Sequence, residues 1–111
     1  MINGSLEIDI LNSFWSLASD DRDVSIQDIV DDLHASGVTR AYTTIKTVMD
    51  RLTAKSILVR YKSGKKFFYK ATMSKSEMAA DTLRTVSHQF FDGSFSSMIR
   101  FIERECGEYV S

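Results

Sequence analysis

With 111 residues, 43% of them hydrophobic and 26% charged, the chain has room for one hydrophobic core, or one core with an appended element, without disulfide staples. Its single cysteine, Cys106, excludes an internal disulfide and a multi-cysteine zinc site, and no apolar run approaches the roughly 20 residues that span a bilayer. The formal charge of −1 hides a segregation: residues 40–70 carry nine Lys/Arg against one acid, Asp50, whereas residues 1–39 carry eight acids against Arg22 alone. A cationic segment of that purity is the electrostatic footprint of a nucleic-acid binder. The opening "MINGSLEIDI" has neither the basic nor the apolar region of a signal peptide, so a cytoplasmic location is expected.

In chain order, Ile10/Leu11, Phe14/Trp15 and Ala18 recur at helical spacing and predict a first amphipathic helix over about residues 5–18. The polar loop "SDDRD" follows. Ser25 and Asp28 then form a helix start of the capping-box kind, with Ile26, Ile29, Val30 and Leu33 as the stripe of a short second helix ending near Gly37. The segment "AYTTIKTVMDRL" predicts a third helix. Ala41, Ile45, Val48, Met49 and Leu52 share one side, and Thr43 and Thr47 point away from it with Lys46 beside them.

Next, Ile57–Tyr61 and Lys66–Tyr69 are two β-rich runs around Ser63-Gly64, which reads as a two-residue turn placing Tyr61 opposite Lys66 and Arg60 opposite Phe67. Beyond residue 71, Ser74-Lys75-Ser76-Glu77 has the form of a capping box, and Ala79, Leu83, Val86 and Phe90 follow as a heptad-like seam. "DGS" at 92–94 breaks that helix. Phe95, Met98/Ile99, Ile102, Cys106 and Tyr109 predict the stripe of a fifth.

Three helices followed by a basic hairpin describe a mainly α winged helix-turn-helix. In that arrangement the third helix enters the major groove and the hairpin loop touches the neighbouring phosphate backbone. The predicted reading helix carries Tyr42, Thr43, Thr44, Lys46, Thr47 and Arg51, and the wing carries Arg60, Lys62, Lys65 and Lys66. Hydroxyls bond phosphates or bases, a threonine methyl meets thymine's methyl, and a lysine reaches guanine O6/N7.

"AYTTIKTVMDRL" followed by "KSGKKFFYK" resembles the penicillinase-repressor family of bacterial winged-helix repressors. The family's reading helix has the form T-[TV]-x-T-[VIL]-[ML]-x-R-L and its wing the form K-x-G-[RK]-x-[YF]-x-Y. Trp15 matches the tryptophan common in the family's first helix, and "FDGSFSSMIRFIERE" is similar to its second dimerisation helix. The resemblance covers about residues 5–105. It departs at Ser56, where the family has a glycine in a position that needs positive φ, and at Ala71, where proline is common. The sequence ends at Ser111, where longer members continue into another helix.

The resemblance implies a winged-helix DNA-binding domain over residues 1–72 and a helical dimerisation region over 73–111, with Leu83, Val86, Phe90, Phe95, Met98, Ile99 and Ile102 holding a homodimer. It further implies binding to a palindromic operator, control of β-lactamase or related genes, and inactivation by cleavage at Arg100-Phe101 when a membrane sensor metallopeptidase is triggered. No enzymatic activity, cofactor, metal or small-molecule ligand is expected. His34 and His88 stand apart as surface histidines, Ser87-His88 lacks the context of a hydrolase nucleophile, Cys106 reads as a buried interface thiol, and Phe90 and Phe91 read as packing anchors. The competing function is a winged-helix interaction module whose basic face binds an acidic protein.

Overall fold

The computed structural model describes residues 5–18 and 22–107. Its elements run α1 (Ser5–Ala18), α2 (Ile26–Ala35), α3 (Tyr42–Ala54), β1 (Leu58–Ser63), β2 (Lys66–Ala71), α4 (Lys75–Phe90) and α5 (Phe95–Glu105). The described residues fall into two compact units, divided between Lys75 and Ser76.

In the first unit the helical stripes converge. Ile10, Leu11 and Phe14 of α1, Ile29 and Leu33 of α2, and Ile45, Val48, Met49 and Leu52 of α3 are buried together with Leu58 and Tyr69 of the hairpin. Each such side chain contributes roughly 1.5–3 kcal/mol when fully removed from water. Ala18 and Ala41, assigned to stripes by spacing, are exposed, because each lies at a helix end where the stripe has run past the core. Ala41 is the N-cap of α3.

The local signals for α2 act as read. The Ser25 hydroxyl accepts from the Asp28 amide at 3.1 Å, and the Asp28 carboxylate accepts from the Ser25 amide at 2.9 Å. The helix ends at Gly37, whose φ of +90° allows its amide to reach the His34 carbonyl and the Val38 amide to reach that of Leu33. The end of α3 has the same bonds with Ser56 in place of glycine, at φ +62°. This is the position where the sequence departs from the family's glycine.

The hairpin differs from expectation in register. Its turn is Gly64-Lys65, so Ser63 pairs with Lys66, Lys62 with Phe67, Tyr61 with Phe68 and Arg60 with Tyr69. Gly64 has φ +65° and Lys65 does not have positive φ, the pattern of a turn with glycine in its first central position. The shift is two residues along the partner strand, so every side chain keeps the face that the expected register gave it. A third extended segment was not anticipated: Val24, in the loop before α2, bridges Tyr69, whose amide donates to the Val24 carbonyl at 2.9 Å.

In the second unit, Asp92 and Gly93 both take positive φ, which separates α4 from α5, and the Ser94 hydroxyl caps α5 by accepting from the Ser97 amide. Met78, Ser87 and Met98 are its buried residues. The rings of Phe91 and Phe101 meet edge to face, 5.4 Å apart. Phe90, expected as a packing anchor, is 75% exposed, and Leu83, Phe95 and Ile99 are about half exposed. Cys106 is half-buried at the C-cap of α5, and the expected stripe residue Tyr109 lies outside the described residues. Among the described residues no helix is long and apolar enough to cross a membrane.

Candidate nucleic-acid interface

The buried stripe of α3 fixes which residues face outward. With Ile45, Val48, Met49 and Leu52 in the core, Tyr42, Thr43, Thr44, Lys46, Thr47 and Asp50 are exposed. Thr47 Oγ1 donates to the Thr43 carbonyl at 2.9 Å, so its one proton is used within the helix. The hydroxyl oxygen is left to accept and the methyl to make apolar contact; both suit base edges in a major groove.

Lys46 Nζ lies 2.7 Å from Asp50 Oδ2, one helical turn on. The Asp50 carboxylate, by hydrogen bond and by charge, holds the lysine's pKa above its ordinary value, so Lys46 is a full cation across the physiological range. Both partners are about half exposed, and an ion pair in that setting contributes little. Exchanging Asp50 for a phosphate or a guanine edge is therefore inexpensive. Asp50 itself is a candidate acceptor for cytosine N4 that sequence reasoning passed over, because an acid inside a basic run reads only as a subtraction of charge.

Arg51 stands elsewhere. Its guanidinium is 3.7 Å from Glu7 of α1, and Lys55 Nζ is 3.4 Å from the same Oε1. Glu7 is buried, and its Oε2 has no hydrogen-bond partner among the described residues. Two cations thus converge on one desolvated carboxylate, clasping the last turn of α3 to α1.

The wing presents two faces. Arg60, Lys62 and Phe67 share one, and Val59, Tyr61, Phe68 and Lys70 share the other. The Tyr61 hydroxyl donates to the Asp23 carboxylate, tying the wing to the loop before α2. Lys70 Nζ stands 5.3 Å from the centre of the Tyr61 ring. Lys65 and Lys66 occupy the tip and are exposed.

An open cleft of about 580 Å³ joins helix to wing. Of the sequence-predicted residues it brings together Tyr42 and Lys46 from α3 with Arg60 and Lys66 from the wing, and it adds Gln27 and Asp28 from the start of α2 and Phe67 from β2. Thr43, Thr44, Thr47, Lys62 and Lys65 lie outside it, and Arg51 lies on the Glu7 side of α3. Phe67 and Gln27 were missed. The alternation of β2 places Phe67 on the cationic face, but only the register shows which cations it meets.

Among the other residues singled out, Arg100 and Phe101 lie mid-way along α5, Arg100 exposed and hydrogen-bonded to the Ser97 hydroxyl at 3.3 Å. Met98 is buried, while Leu83, Phe90, Phe95 and Ile99 present apolar surface to solvent and Val86 and Ile102 are half-buried. His34 and His88 are exposed, and the His34 Nδ1 is 3.0 Å from the Thr39 hydroxyl.

Comparison with known proteins gives one consistent result. The family described as "Penicillinase repressor" matches residues 3–108. A penicillinase repressor from Staphylococcus aureus is 28% identical over 104 residues, covering 89% of this chain and 79% of the relative. Among solved structures, the iron-bound ferric uptake regulator of Francisella tularensis has a similar fold, with a TM-score of 0.54 over 81% of this chain and 80% of that one at 17% identity. With all but its extreme ends matched, the chain belongs to the penicillinase repressor family, whose members are DNA-binding transcriptional repressors.

Proposed function

We propose that this member of the penicillinase repressor family binds a palindromic operator as a cytoplasmic homodimer and represses β-lactamase or related genes. Its α3 enters the major groove, with Thr43, Lys46 and Thr47 on base edges, and its wing lies on the adjacent phosphates. The observation that carries this reading is the cleft in which cations of α3 and of the wing converge, within a segment holding nine cations and one acid.

Dimerisation is supported by the second unit, where the large apolar side chains Leu83, Phe90, Phe95 and Ile99 are each about half exposed or more, as an apolar interaction surface would leave them in a lone chain. Cleavage between Arg100 and Phe101, by a membrane sensor metallopeptidase, would divide α5 between Ile99 and Ile102. Because operator occupancy depends on dimerisation, each 1.4 kcal/mol lost at the interface lowers binding about tenfold.

The deciding experiment is operator selection from a randomised duplex pool, followed by titration across salt. A dimer neutralising about six to ten phosphates loses roughly 10³–10⁵ in affinity between 50 and 200 mM salt. A flat salt response, or no enriched palindrome, rejects this function and favours an acidic protein as the partner.

A further inference from the structure

The cations of residues 40–70 divide by what holds them. On α3 and at its end the partners are carboxylates: Lys46 has Asp50 at 2.7 Å, and Arg51 and Lys55 have Glu7 at 3.7 and 3.4 Å. On the wing, Arg60 and Lys62 have no carboxylate at ion-pair distance among the described residues. Both stand over one aromatic ring instead, the Arg60 guanidinium 4.5 Å and the Lys62 Nζ 5.6 Å from the centre of Phe67.

The register produces this arrangement. Lys62 is the cross-strand partner of Phe67, and Arg60 lies two residues back on the same face. Leu58 and Tyr69 supply that face's buried contacts, while Phe67 is left 50% exposed. A carboxylate in its place would hold the same two cations but cancel their charge. A ring holds them through its quadrupole and leaves both charges available to a polyanion.

We infer that Phe67 is a positioning residue for DNA binding: its ring pre-orders Arg60 and Lys62 as one phosphate-binding pair, so the wing, more than α3, sets the salt dependence of binding. Ordering two long side chains before contact removes part of the entropy that an interface otherwise costs. This inference rests on the DNA-binding reading above.

The test uses the full chain and a labelled mixed-sequence DNA duplex, titrated by fluorescence anisotropy at several salt concentrations. Phe67→Leu removes the ring from beneath both cations and should weaken binding roughly 5- to 30-fold, with little effect on thermal stability. Phe67→Tyr should restore wild-type affinity. The Arg60→Gln/Lys62→Gln chain should lower the salt slope by about 0.9 for each phosphate it no longer neutralises, more than Lys46→Gln does. In that double-Gln background Phe67→Leu should add almost nothing, which a merely structural role for the ring would not give.

Wild-type affinity in Phe67→Leu overturns the inference, as does an undiminished effect of Phe67→Leu in the double-Gln chain. Should Phe67→Leu unfold, the double-Gln chain decides: a salt slope equal to wild type is fatal to the idea. A wild-type chain that binds no duplex at all would sink the DNA-binding reading along with this one, whereas binding that ignores Phe67 sinks this one alone.

Discussion

Ser56 is the residue where a single added freedom should stabilise the protein. Its amide donates to the Thr53 carbonyl at 3.0 Å and the next amide, of Ile57, to the Leu52 carbonyl at 2.9 Å, a helix end that requires a left-handed residue at position 56. α2 closes with the same pair of bonds, Gly37 to His34 at 3.0 Å and Val38 to Leu33 at 2.8 Å, but there glycine holds the left-handed position. The serine hydroxyl makes no hydrogen bond among the described residues, and the Ser56 carbonyl that accepts from Thr72 Oγ1 survives any substitution. Left-handed backbone costs a residue with Cβ roughly 1–2 kcal/mol, and glycine's extra freedom in the unfolded chain takes back about 0.4–1 kcal/mol. Ser56→Gly should therefore stabilise by about 0.5–1 kcal/mol, raising Tm by roughly 2–6 °C for a chain of this size. Gly37→Ser should cost a similar amount, since its φ of +90° is no more hospitable to a side chain. The assay is thermal and urea unfolding followed by circular dichroism, at one protein concentration so that any dimer contributes equally. A Ser56→Gly chain with a lower urea midpoint, or a Gly37→Ser chain as stable as wild type, would refute the reasoning.

Other consequences are open to measurement. Lys46→Ala and Thr47→Ala should relax base preference in a randomised-operator selection, by about 1–3 kcal/mol of discrimination for a good bidentate contact, whereas Lys65→Ala should weaken all sequences alike. Unchanged preference in both α3 variants would remove those residues from the reading set. A chain ending at Lys75 lacks Leu83, Phe90, Phe95 and Ile99 and should sediment as a monomer with much weaker affinity for a palindrome; an intact dimer there would place the interface in the first unit. Ser87 is 1% exposed and its hydroxyl has no partner among the described residues, so Ser87→Ala should be neutral or stabilising by up to about 1 kcal/mol in urea unfolding. Destabilisation beyond that would mean the hydroxyl has a partner when the second unit is assembled.

Much of this protein was legible in its sequence because the relevant forces act between near neighbours. Helical stripes, the Ser25–Asp28 capping box and the break at Asp92-Gly93 are all set within a turn or two of chain, and each stands where its residues require it. The same holds for the outward set of α3, since burying Ile45, Val48, Met49 and Leu52 leaves Thr43, Lys46 and Thr47 no other direction. The positive φ at Ser56, by contrast, was legible only through the glycine that the resembling family carries there.

What the tertiary structure decided lies between residues far apart in the chain. Glu7 meets Arg51 and Lys55 across more than forty residues, Val24 meets Tyr69, and the Trp15 indole donates to the Met73 carbonyl at 3.0 Å. No periodicity encodes such pairs, because they follow from how stripes pack once formed. The hairpin register belongs with them. Gly64 fits either position of a two-residue turn on its own φ, and the ladder from Ser63–Lys66 to Leu58–Ala71 settled which one it takes. On that choice depends which wing cation stands directly opposite the Phe67 ring.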